Sequence, residues 1–287
     1  MDVQRLADSP IVRPHMDERM GANVNGPSLI RVPEWIVSPL GRYYLYFAHH
    51  QGTYIRMAYA DRLEGPWRVH APGVLDLADS FFDRHIASPD VHVMDDRREI
   101  WMYYHGCCRP VEPRQATRLA VSADGLDFSA REEVLGTAYW RVFRWGGRHY
   151  ALAGAGRLYR SEDGVTGWAE GPSLFTPDLR HLAVRLRGGK LDVFYSNAWD
   201  CPERILHSTI HLTPDWETWK WSEPVTLLQP ERDWEGGNLE LCASRRGAIH
   251  EPARQLRDPA IYEEDGRVYL LYSVAGEHGI AIAELLA

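Results

Sequence analysis

Two carboxylates in this sequence stand beside prolines in strand-like surroundings: Asp90 in IASPDVHV and Asp258 in LRDPAIYE. A third stretch, NVNGPSLIRV from Asn23, opens the same way but has Gly26 before its proline and Ser28 after it. A carboxylate crowded by another has a displaced pKa, as proton transfer requires, although Asp next to Pro also serves simply to make turns. Glu277 in AGEHG and the histidines His49, His50, His105, His181 and His278 add further groups able to move a proton. Three imidazoles and a carboxylate could also hold zinc or another divalent metal, with His49 and His105 as candidate ligands. No HxH or HExxH spacing accompanies them, so the sequence requires no cofactor.

These groups acquire positions from an internal repeat. Five segments rich in Tyr, Val, Leu and Phe each follow a turn signal: GRYYLYFAHH (41–50), REIWMYYHG (98–106), GRHYALAGA (147–155), GKLDVFYSNA (189–198) and GRVYLLYSVA (266–275). A further strand follows each, and D-G, D-R or P-D turns lead to outer strands such as WRVHAPGVL, PSLFTP and EPVTLLQP. Five four-stranded antiparallel units predict an all-β, five-bladed β-propeller spanning 1–287 as one domain. The fifth copy stops after its third strand, and SPIVRPH (9–15) is the segment expected to complete it. A large β-sandwich fits the five-fold repeat less well.

In a propeller blade the start of the first strand and the end of the second lie on one face of the ring. First-strand starts supply Asn25, Asp90, Arg141, Arg180, His181, Arg257 and Asp258. Second-strand ends, aligned on the repeat, supply His49, His105, Ala155, Asn197 and Val274, and the loops beyond add His50, Asp200, Glu277 and His278. Blades 2 and 5 both neighbour blade 1 in a closed ring, so Asp90 and Asp258 should flank Gly26. On this reading Asp90, Asp258, His105 and Glu277 are the catalytic candidates. Asn25, His49, His50, Arg141, His181, Asn197, Arg257 and His278 are the candidates for binding a ligand.

The chain is 45% hydrophobic and 25% charged, enough apolar content for a sizeable core. Its net charge of −8 argues against a nucleic-acid surface, and no apolar run reaches membrane length. Cys107, Cys108, Cys201 and Cys242 form no CxxC pair, so neither a zinc knuckle nor a disulfide framework is indicated. The N-terminal residues contain no apolar signal core, which makes the cytoplasm the expected location.

The five units, SPDV in blade 2, RDPA in blade 5 and YADRLEGPW together resemble the family 43 glycoside hydrolases and their relatives in families 32, 62, 68, 117 and 130. The resemblance covers nearly the whole chain. It implies a general-base Asp opening blade 1, a pKa-tuning Asp after the proline of blade 2 and a general-acid Glu at blade 3. Only the second carries over, to Asp90; the first position is Gly26 and GTAYWRVFRW has no acid. Glu170 in AEGPSLF precedes Gly-Pro as the family acid often does, but its alignment with Glu64 puts it at the outer edge of its blade. Relatives in families 32 and 68 also use an RDP acid, which points to Asp258. Those in family 117 would allow a histidine as the acid.

The expected activity is therefore glycosidase-like, on a small sugar-containing or polyhydroxylated molecule or an oligosaccharide in the central channel. The alternatives are a metal- or histidine-assisted hydrolase, lyase, cyclase or isomerase on the same scaffold, or a non-catalytic carbohydrate-binding propeller. The long connection 233–259 could cover the channel face, with Glu235, Glu240 and Arg245 as weaker site candidates.

Overall fold

A computed structural model describes residues 1–108 and 115–286. It is a five-bladed propeller of antiparallel sheets. Blade 1 contains Asn25–Arg31, Tyr43–Ala48, Tyr54–Ala60 and Arg68–Asp76. Blade 2 contains Ile86–Met94, Glu99–Cys107 and Gln115–Ser122; its outer position is shared by Ser129–Ala130 and Gly136–Thr137. Blade 3 contains Arg141–Trp145, Arg148–Leu152, Arg157–Ser161 and Ala169–Ser173. Blade 4 contains Leu179–Arg187, Lys190–Asn197, Ile205–His211 and Val225–Leu228. Blade 5 contains Arg257–Glu264, Arg267–Ser273, Ile280–Leu286 and, closing the ring, Asp2–Arg5. Among the described residues no helix is long and apolar enough to cross a membrane.

Each blade is sandwiched between two others, so both faces of its middle strands must be apolar. That explains why Tyr43–Ala48 is buried without interruption. Its alternate residues serve different neighbours: Tyr44 and Tyr46 pack towards blade 2, Tyr43, Leu45 and Phe47 towards blade 5. Five apolar clusters result, each at the seam between adjacent blades.

The N-terminus completes the last blade as expected, but through Asp2–Arg5 rather than the segment 9–15. Asp2–Arg5 pairs with residues 283–286, whereas Ile11 and Val12 of the segment 9–15 bond the backbone of the last strand at Ile280 without forming a ladder, and Ser9 Oγ bonds Ile282. Pro10 and Pro14 remove the N–H donors a ladder needs, and Ile11 and Val12 instead fill the seam between blades 5 and 1. Arg5 secures the true closing strand through Glu235, a fully buried carboxylate 2.8 Å away. In blade 3 the outer strand ends at Ser173, because Leu174 and Phe175 turn into the seam with blade 4.

Candidate active site

The channel face is organised by a bulge repeated in four inner strands. Asn25 pairs with Ala48 and Ser28 with Tyr46, so one residue is extra; the same shift occurs between Ala87 and Asp90, Leu179 and Leu182, and Arg257 and Ala260. Bulges re-aim side chains next to functional sites. Here the bulges place Gly26, Ser88, Arg180 and Asp258 at equivalent positions. Gly26, Ser88 and Asp258 all have left-handed backbones, with φ of 63°, 46° and 47°.

The same pairing corrects the alignment of the second strands. His105 is equivalent to Ala48, Asn197 and Ser273, not to His49 or Val274. The strand of blade 1 ends at Ala48, and His49 begins the turn whose Gly52 N–H donates to its carbonyl. His49 Nδ1 accepts from Gln51 N, and burial beside Arg56 lowers its pKa to about 4. His49 and His105 therefore do not share a register, which was the ground for pairing them as metal ligands. Among the described residues no group of three His, Cys, Asp or Glu side chains is arranged to hold a metal ion.

A cavity of about 390 Å³ opens at this face, lined by residues that include His50, Tyr139, Arg180, His181 and Arg246. Two of its histidines are backed by carboxylates. His50 Nδ1 lies 3.0 Å from Glu277 Oε1, and His181 Nδ1 contacts Asp258 Oδ1. Glu277 is fully buried and Asp258 nearly so. Burial would raise both pKa values, but the partners win. His50 and Arg257 hold Glu277 down at about 2, while His181, Arg180 and Arg257 hold Asp258 well below the usual carboxylate range. Both are fixed anions at neutral pH. Among the described residues neither Nε2 of His50 nor that of His181 has a hydrogen-bond partner.

Behind the histidines the charges interlock. Arg257 reaches Glu277 and Glu203, each at 2.9 Å, and donates to Gln255 Oε1. Glu203 accepts from Ser196 and lies 3.5 Å from Arg180. Its pKa is raised, because burial outweighs the two guanidinium groups. Asn23 donates to Glu277 at 2.6 Å and accepts from Asn25 Nδ2 and from His50 N, fixing the His50 turn. Tyr139 wedges between His105 and His181, with ring separations of 4.1 and 4.5 Å. Burial, with His85 and His181 nearby, keeps the His105 pKa well below its ordinary value, so this ring is neutral.

Asp90 lies elsewhere. Its carboxylate bonds His92 Nε2 at 2.8 Å and Val142 N at 2.7 Å, with Arg141 at 3.8 Å, and it does not line the cavity. Burial would raise its pKa, but His92 and Arg141 lower it. Arg141 donates to the carbonyls of Pro89 and Pro27, tying the bulges of blades 2 and 1 together. His278 places both ring nitrogens against main-chain carbonyls, and the Asn197 side-chain oxygen is buried without a partner. Glu170 sits on the outer strand of blade 3, exposed and paired with Arg157.

In the long connection, Glu235 serves the blade closure, Glu240 is exposed, and Arg245 contributes a main-chain carbonyl that accepts from Arg180. Sequence reasoning missed Glu203, Asn23 and Arg246. A signal for Glu203 was present: like Glu277, it is an acid in the loop after a second strand, one blade earlier.

No family model matches the chain. Several solved structures share its fold. A putative glycoside hydrolase from Parabacteroides distasonis aligns with a TM-score of 0.70 at 12% identity, covering 99% of this chain and 96% of that one. The GH43_1 enzyme from Xanthomonas citri aligns at 0.65 and 14%, covering 98% and 93%. CoXyl43, a GH43 β-xylosidase/α-arabinofuranosidase from a compost metagenome, aligns at 0.64 and 14%, covering 96% and 95%. The chain thus has a propeller like that of the family 43 enzymes. In sequence it is 35% identical, over an alignment 297 positions long, to the Uncharacterized protein R118 of Acanthamoeba polyphaga mimivirus, covering 92% of this chain and 83% of that protein. On that likeness the chain belongs to the family of the mimivirus protein R118, built on the five-bladed fold that the family 43 glycoside hydrolases also use.

Proposed function

We propose that this protein is a glycosidase-like enzyme that cleaves a small sugar-containing substrate in the cavity lined by His50, Tyr139 and His181, with two histidine–carboxylate pairs moving the protons. One observation carries the reading: both histidines turn Nδ1 to a buried, ionised carboxylate and belong to the same cavity wall. A carboxylate on Nδ1 fixes the tautomer, leaves Nε2 for the substrate and stabilises the imidazolium that forms.

Glycoside hydrolysis needs an acid for the leaving oxygen and a base for water. The carboxyls of Asp258 and Glu277 are too acidic to hold a proton at neutral pH. In the proposed step one protonated imidazole gives its Nε2 proton to the glycosidic oxygen as the C–O bond breaks. The other takes a proton from the water that attacks the anomeric carbon. Solvent exchange restores the starting protonation states. Tyr139 packs on His181 and fixes its ring plane. Asp90 acts at a distance, as a positioning residue that bonds Val142 N and supports Arg141.

The test is release of the aryl group from a panel of aryl arabinofuranosides, xylosides, galactosides, fructosides and uronides. Removing either imidazole, as His181→Asn or His50→Asn, should lower kcat by about 10²–10⁴-fold. Binding of sugars without any turnover would instead mark a carbohydrate-binding propeller.

A further inference from the structure

The charge of the cavity wall goes beyond the acid–base pairs. Although the chain as a whole carries −8, the described residues lining the cavity include Arg180 and Arg246 and no Asp or Glu. The two arginines are not alike. Arg180 is buried and satisfied: it donates to the carbonyls of Arg245 and Gly247 and neighbours Glu203. Arg246 is exposed, donates to the carbonyl of Pro177, and has no carboxylate within ion-pair distance among the described residues.

The loop that delivers Arg246 is held on both sides. Arg180 grips it at Arg245 and Gly247; Asn23 donates to the carbonyl of Ile249 at 3.2 Å, and His278 lies 3.1 Å from that of His250. Glu277 accepts from Ile249 N at 3.4 Å. Buried side chains of three blades thus present a guanidinium, uncompensated among the described residues, at a cavity whose other described polar groups suit hydroxyls. Guanidinium groups bind carboxylate and phosphate through paired, charge-assisted hydrogen bonds.

We infer that the substrate carries an anionic group, a carboxylate or a phosphate on its sugar, which Arg246 receives at the mouth of the cavity. This rests on the cavity being the substrate site. Calorimetric titration of the full chain with D-glucuronate, D-glucose 6-phosphate and D-glucose at equal ionic strength tests it. At least one anion should bind about tenfold or more tightly than glucose, and the anion that does so identifies the group. The preference should disappear in Arg246→Gln and weaken as salt rises, since exposed charges are screened. Equal binding of all three sugars, no binding of either anion, or a preference that survives in Arg246→Gln overturns the inference. Turnover of neutral aryl glycosides with no anion preference would leave the two-histidine reading standing and remove this one. Anion preference without turnover of any glycoside would do the reverse.

Discussion

Asp258 of blade 5 and Gly26 of blade 1 occupy equivalent bulge positions on adjacent inner strands, each with a left-handed backbone and each followed by proline. The carboxylate that blade 1 lacks is thus present one blade away, at the same depth in the channel, and it meets His181. Gly26 leaves room for Ser88, whose Cα would lie 3.2 Å from a Cβ added at residue 26.

Restoring an acid at blade 1 should therefore not restore a typical site. Gly26→Asp adds a side chain at φ 63° against the backbone of Ser88. Strain of this kind costs about 1–3 kcal/mol. Urea unfolding should show a loss of that size with no gain in glycosidase rate. A variant as stable as the native protein would mean the close approach is not limiting.

Acid should weaken the fold through the carboxylates behind the histidines. Glu277 titrates at about 2 when folded against an ordinary 4.5, so the unfolded chain takes up this proton first. Its stabilising contribution is complete above about pH 4.5 and lost as pH falls towards 2. The contribution is on the order of 3 kcal/mol by linkage. Asp258 acts in the same sense. In Glu277→Gln, Tm should fall less steeply across that window; an unchanged slope would show that Glu277 is not held ionised by His50 and Arg257.

Arg257 joins two carboxylates that are both fully buried, Glu203 and Glu277. Arg257→Met removes the shared cation and leaves charge behind, which typically costs about 3–5 kcal/mol. A loss below about 1 kcal/mol by urea unfolding would show that Ser196, Asn23 and Arg180 suffice.

The blades were legible because each middle strand is buried on both faces, which writes continuous aromatic and aliphatic runs such as YYLYFA. The channel face was legible too, and Asp258, His181, His50, Glu277 and Arg257 do meet there. What could not be read was the register of the second strands, because the connection before them spans residues 32–42 in blade 1 but 95–98 in blade 2; pairing makes Ala48, not His49, the equivalent of His105. Asp90, which follows its proline, lies two positions beyond the place that Asp258 occupies before its own. The closing strand was misplaced because Ile11 and Val12 have strand-like side chains, while the ladder depends on N–H groups that Pro10 and Pro14 lack. Glu203 and Arg246 reach the site from loops, where no periodicity announces a direction.

The most direct test of the two-histidine account compares His181→Asn with Asp90→Asn on whichever aryl glycoside the native protein hydrolyses best. The account predicts that His181→Asn lowers kcat by about 10²–10⁴-fold. Asp90→Asn should keep kcat within about tenfold of native, since its carboxylate faces His92 and Val142 rather than the cavity. Full activity in His181→Asn, or the larger loss in Asp90→Asn, would contradict the account and return the chemistry to the carboxylate of blade 2.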